Sequence, residues 1–295
     1  VATTVLTAVL GLLYWALAAR RYAPEELGRS ATAISSMVLI SGIAQLNLIN
    51  GIPRFLPRAG QHARRFVLSA YAVTSALAAV VSLAFVLVTR QNFLSGDGWA
   101  GAAWFVAAVV AWCIFTLQDS VLAGLRQAIW VPLENGIFAV LKIVLVLALA
   151  SGMPRFGIFA SWTIPVALSL IPVNLLIFRR LIPRQARTTE VQQGVPPRQV
   201  ISYIGRDYVG GLFNLAAVTT LPLIVAARLG LGSAGHFYAA WIVASSFDLI
   251  LANLGMSLIV EGSRDERRIA AFSRSMARLG LVFLIPGALL LAVLA

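Results

Sequence analysis

Apolar positions along this chain fall in blocks of roughly 17 to 26 residues, the length a helix needs to cross about 30 Å of hydrocarbon. Short polar stretches rich in Arg, Pro, Gly and Asp separate the blocks. The pattern predicts nine helical spans, over 3–19, 33–52, 66–88, 99–118, 131–150, 156–178, 208–227, 236–259 and 276–295. The first block has no basic n-region and runs into RRYAPEELGR rather than a small-residue cleavage site, so it reads as a helix and not a signal peptide. The chain opens on Val1 and stops at Ala295 inside an apolar block, which reads as a fragment of a longer protein.

Composition supports the pattern. Apolar residues make up 60% of the 295 and charged residues only 12%, against about 25% charged in a soluble domain. The expected fold class is therefore all-α and integral to the membrane, a polytopic bundle of about nine transmembrane helices. That excludes most soluble enzymes and nucleic-acid binders, and no nucleic-acid partner is expected. The net charge of +12 reports topology instead. Arg and Lys in short loops stay cytoplasmic. Sixteen arginines follow even-numbered spans and six follow odd-numbered ones, which predicts a cytoplasmic N-terminus and basic loops that touch anionic lipid. Cys113 is the single cysteine, so neither an internal disulfide nor a cysteine metal cluster can form.

The longest polar stretch begins at Arg179 and holds three prolines and a glycine before residue 200. It reads as a cytoplasmic linker over 179–200, between a six-span lobe at 1–178 and a partial lobe of three spans at 201–295. A weak repeat agrees with that division. Ala18-Ala19-Arg20 ends span 1 as Ala226-Ala227-Arg228 ends span 7, and Gly28 follows the first as Gly235 follows the second. A spacing of six spans gives both copies the same orientation, as in transporters built from parallel halves.

Ionisable groups inside a bilayer are costly and usually face a cavity or a partner. Lys142, the only lysine, falls near the middle of span 5, and Asp248 near the middle of span 8. One charge in each half suggests opposite walls of a central cavity. Arg54, Asp119, Arg126, Glu134, Asp207 and Glu261 sit near span ends, and Gln45, Asn47, Asn50, Asn174, Asn214 and Asn253 are neutral polar groups at depth. Pro165 and Pro172 should bend span 6. No zinc-protease, nucleotide-loop or nucleophile-elbow motif is present. Neither enzymatic chemistry nor a cofactor or metal is expected.

Three segments carry a family resemblance: GLLYWALAARRYAPEELGRSATAISSMVLISGIAQLNLINGIPRFLP, QDSVLAGLRQAIWVPLENGIFAVLKIVLVLALA and LPLIVAARLGLGSAGHFYAAWIVASSFDLI. Their order resembles helices 1–2, 4–5 and 7–8 of polysaccharide-biosynthesis, O-antigen-type flippases of the multidrug/oligosaccharidyl-lipid/polysaccharide (MOP) exporter superfamily. The resemblance implies two six-helix lobes around a cavity that opens alternately to each side, here with a truncated second lobe, in the bacterial cytoplasmic membrane. It also implies a polyprenyl-diphosphate-linked sugar or oligosaccharide as substrate, with the polymerase and glycosyltransferases of the same pathway as partners. On that reading Lys142, Arg54, Arg126, Asn50 and Asn214 meet the substrate. Asp248, Asp119, Glu134 and Glu261 supply charge partners or ion coupling. A cation-coupled multidrug antiporter of the same superfamily and a peptidoglycan-precursor flippase are the competing readings.

Overall fold

The computed structural model describes residues 2–89, 98–188 and 197–262; the side chains of 2–8, 187, 188, 197, 206, 207, 243 and 246–262 fall outside the description. Every element is helical: α1 (Ala2–Arg21), α2 (Pro24–Ala44), α3 (Leu48–Phe55), α4 (Ala63–Thr89), α5 (Gly98–Gly124), α6 (Trp130–Gly152), α7 (Gly157–Leu176), α8 (Ile182–Thr188) and α9 (Pro197–Gly262). Six helices among the described residues are long and apolar enough to cross a membrane. Their outward faces carry Val80, Leu87, Val88, Leu168, Ile171 and Phe213 exposed, which suits hydrocarbon and would aggregate in water.

Spans 3 to 6 coincide with α4 to α7. Span 2 does not run over 33–52. Its helix starts at Pro24, with Glu25 and Glu26 in the first turn, where proline's fixed φ and acidic charge both favour a helix start. Pro24 and Glu25 are exposed, and the turns after them pack against protein rather than lipid, with Leu27, Gly28, Ser30, Ala31 and Thr32 all buried, so a hydropathy reading does not show this start. The same helix ends early. Leu46 and Asn47 adopt φ of 50° and 59°, left-handed values that break the hydrogen-bond ladder before α3 resumes it. Spans 7 and 8 are joined in α9, whose one non-helical residue is Gly230 at φ 84° and ψ 171°. The ninth span lies outside the described residues. The polar stretch after Arg179 is helical through Thr188, and the chain is helical again from Pro197.

Several hydroxyls inside the bundle are satisfied within their own helices, as an apolar surround favours, while Ser36 and Tyr71 have no hydrogen-bond partner among the described residues. Thr32, Thr74, Ser82, Thr116 and Thr163 each donate to the carbonyl four residues back. The core of the first six spans is aromatic. Tyr14, fully buried, donates to the Ile158 carbonyl at 3.1 Å and lies 2.8 Å from Ser161 Oγ, fastening α1 to α7. Tyr22 donates to the Val146 carbonyl at 2.9 Å, fastening the α1–α2 turn to α6.

The two copies of the repeat meet. A Cβ added to Gly28 would fall on the Leu231 carbonyl oxygen and 2.8 Å from the Gly235 amide nitrogen; one added to Gly235 would fall on the Pro24 carbonyl oxygen and 3.1 Å from the Gly28 nitrogen. Each glycine thus packs on the residue four positions before the other. That exchange of partners is the reciprocity of a two-fold contact. Only glycine allows such an approach, as at other close helix crossings in membranes.

Candidate functional site

Three features converge where α2 breaks. Asn47 tolerates the left-handed conformation better than most residues, and its amide donates to the Ile204 carbonyl at 3.4 Å. Gln45, the last-turn residue of α2, donates to Thr116 Oγ1 on α5. Tyr208 on α9 donates to the Ile43 carbonyl at 2.7 Å. These bonds hold the broken helix between α5 and the first half of α9. Around them lies a cavity of about 340 Å³ lined by Gln45, Asn47, Asn50, Trp112, Thr116 and Tyr208, among others, with no charged side chain among the described residues of its wall.

One turn further on, the charge changes. A second cavity, of about 530 Å³, is lined by Arg54, Phe55, Arg58, Arg198, Gln199, Ser202 and Tyr203. The Arg54 guanidinium lies 4.4 Å over the Tyr203 ring, and Phe55 meets the same ring edge-on at 5.5 Å. The ion pair among the described residues is Arg29–Glu26 at 3.2 Å; the described residues of the cavity wall include no carboxylate. Three planar guanidinium forks without an acid are chemistry for a phosphate or diphosphate. On the other side of the same α9 turns, Val200, Ile201 and Ile204 face Phe66, Ala70 and Val73 of α4 across a mostly apolar groove of about 920 Å³.

Lys142 is buried in α6 and lines none of these cavities. Its ammonium lies 4.4 Å from the Trp162 ring centre, 4.6 Å from Tyr14 and 5.1 Å from Phe138, a cation held by aromatic faces with no ion pair among the described residues. Glu134 is also buried, with neither carboxylate oxygen hydrogen-bonded, and it borders a lateral apolar groove between α6 and α7. Asp119 accepts from Asn135 at 3.0 Å and leaves its other oxygen unpartnered. Arg126 is exposed in the α5–α6 turn at φ 58°. Asn214 is exposed on α9, off the lining of the break cavity. Asp248 and Glu261 fall outside the described side chains. Among the described residues, no three His, Cys, Asp or Glu side chains gather as metal ligands.

Of the sequence-predicted set, the geometry places Asn50 in the first cavity, with Trp112 and Tyr208, and Arg54 in the second, with Arg58, Arg198 and Tyr203. Arg58 and Arg198 read as topology arginines in the sequence. Their convergence depends on the start of α9 returning to the end of α3, which no local pattern records.

The fold is similar to that of a solved structure described as the inward-facing conformation of a multidrug resistance MATE family transporter of the MOP superfamily. The TM-score is 0.66 at 13% identity, over 96% of this chain and 68% of that one. No family model and no curated protein matches the sequence. The chain therefore has a MATE-like fold of the MOP type, an all-helical, multi-pass membrane architecture.

Proposed function

We propose that this protein is an alternating-access transporter that moves polyprenyl-diphosphate-linked sugars across a bacterial cytoplasmic membrane, from the inner to the outer leaflet. The observation that carries the reading is the cavity of Arg54, Arg58 and Arg198, with no carboxylate among its described lining residues and set between the end of α3 and the start of α9. A diphosphate leaving the headgroup region loses its hydration, and guanidinium donors offset that loss. The apolar groove between α4 and α9, on the other side of the turn that carries Tyr203, offers the lipid tail a course beside its head group. A peptidoglycan precursor bears the same diphosphate and falls within this reading.

Binding of a short polyprenyl diphosphate to the protein in lipid nanodiscs tests it. Arg54→Gln or Arg198→Gln each removes a charge-assisted contact worth about 1.5–3 kcal/mol, so affinity should fall roughly 10- to 150-fold. The corresponding neutral polyprenol should bind no better to the original protein than to either variant. Equal affinity for diphosphate in the original and both variants overturns the reading.

One observation favours a second reading, a cation-coupled antiporter. Glu134 and Asp119 present buried carboxylate oxygens without hydrogen-bond partners, as a proton or cation site would. Efflux of a cationic dye driven by an ion gradient, abolished by Glu134→Gln, would support it over the first.

A further inference from the structure

From the lining of the cavity at the α2 break, we infer that it is a sugar-ring site selective for an uncharged pyranose. This deepens the transport reading above and rests on it for the ligand's origin. A pyranose offers an apolar C–H face and a rim of hydroxyls that both donate and accept. The cavity has the matching parts. The Trp112 indole borders it, and behind that ring Trp162 and Phe115 stand at 5.4 and 5.5 Å between centroids, so the platform is held before a ligand arrives, which lowers the entropy cost of binding. Polar groups around it are amides and hydroxyls, which donate and accept at once. Asn50 is exposed and donates one N–H to Asn47 Oδ1 at 2.7 Å, leaving a second N–H and its own carbonyl. Tyr208 donates its proton to Ile43, leaving its oxygen as an acceptor.

Size and charge narrow the ligand. About 340 Å³ is near the low end of small-molecule sites, which span about 300–1,000 Å³, and suits a ring or two rather than a long glycan. No described residue on the wall is charged, so a uronic acid would bring a carboxylate into the cavity with no cation among them to meet it, at a desolvation cost. Asn50 precedes Arg54 by one turn of α3, so a ring at the break lies beside the cavity that would hold its diphosphate. The second wall belongs to α9, through Tyr208 and Gly211, so the site is complete only while both walls are in contact.

Binding of an alkyl β-glucoside and of the matching alkyl β-glucuronide to the protein in nanodiscs, with empty nanodiscs subtracted, tests the assignment. Inorganic pyrophosphate is titrated on the same samples. Saturable glucoside binding should be at least tenfold tighter than glucuronide binding. It should weaken at least tenfold in Trp112→Ala and stay within about threefold in Trp112→Phe, which keeps an aromatic face. Gly211→Leu guards against a folding artefact, because a Cβ there meets open space; filling the cavity from the α9 wall should also weaken glucoside at least tenfold. Equal affinity for the two glycosides overturns the assignment, as does glucoside binding indifferent to both Trp112→Ala and Gly211→Leu. Pyrophosphate separates the two levels. If it binds and glucoside does not, the sugar site falls and the diphosphate reading stands. If glucoside behaves as expected and pyrophosphate fails to bind, the reverse holds.

Discussion

Gly28→Ala adds a single methyl group at the place where α2 crosses α9. That carbon would land on the Leu231 carbonyl oxygen and 2.8 Å from the Gly235 nitrogen, whereas a relaxed C···O contact is about 3.3–3.6 Å. Both neighbours are backbone, so no rotamer change makes room. The helices must part by about an ångström, and overpacking of that order costs about 1–3 kcal/mol, a factor of roughly 5 to 150 in the population of the closed crossing. Spin labels placed by Arg21→Cys and Arg228→Cys report the separation, because both sites are exposed while native Cys113 is buried. The expected result in nanodiscs is a dominant short distance that loses at least fivefold in population, or a matching loss of thermal stability, in Gly28→Ala. Gly235→Ala should reproduce it, since the contact is reciprocal. An unchanged distance distribution together with an unchanged melting temperature in both variants would refute the crossing as drawn.

Further outcomes can be checked by thermal unfolding of the same reconstituted protein. Lys142→Met fills the slot between Tyr14, Phe138 and Trp162 with a thioether that also packs on rings, and should change stability by less than about 1.5 kcal/mol. Lys142→Ala leaves a cavity there and should cost about 2–5 kcal/mol. At position 47, Val should be about 1–2 kcal/mol less stable than Gly, because φ of 59° penalises a branched side chain. Gly230→Ala forces an L side chain into a region of backbone space that is essentially glycine's alone, at about 1–3 kcal/mol.

Helix lengths were legible wherever lipid covers a helix on most sides, as for α4 to α7, because hydropathy then follows burial and exposure alike. That same uniformity hid direction. On α6, Phe138, Lys142 and Val146 are buried while Ile137, Val140 and Val144 are exposed, yet both faces are apolar and no amphipathic stripe separates them. Depth placed Lys142 inside the membrane without saying that it turns toward aromatic rings and away from the cavities. The start of α2 was illegible for the opposite reason: its first turn is polar and largely exposed, the turns after it are covered by protein, and hydropathy marks neither as a span. The break at Leu46–Asn47 sits between Gln45 and Asn50 in a stretch that reads QLNLIN, and nothing local marks Leu46 as left-handed. Gly28 and Gly235 were visible as a repeat, but a repeat does not say which of its positions touch; their contact appears only where α2 packs on α9. Arg198 could not be assigned before α9 was seen to bring it to Arg54.

Translocation by the protein in proteoliposomes tests the proposed function most directly. The substrate is a labelled polyprenyl-diphosphate oligosaccharide, and its arrival in the far leaflet is followed beside the Arg54→Gln variant and beside efflux of a cationic dye. The proposal predicts protein-dependent movement of the glycolipid that Arg54→Gln slows by about tenfold or more, the kinetic share of a lost charge-assisted contact, with no dye efflux. Dye efflux driven by an ion gradient, with the glycolipid left in its original leaflet, would contradict it.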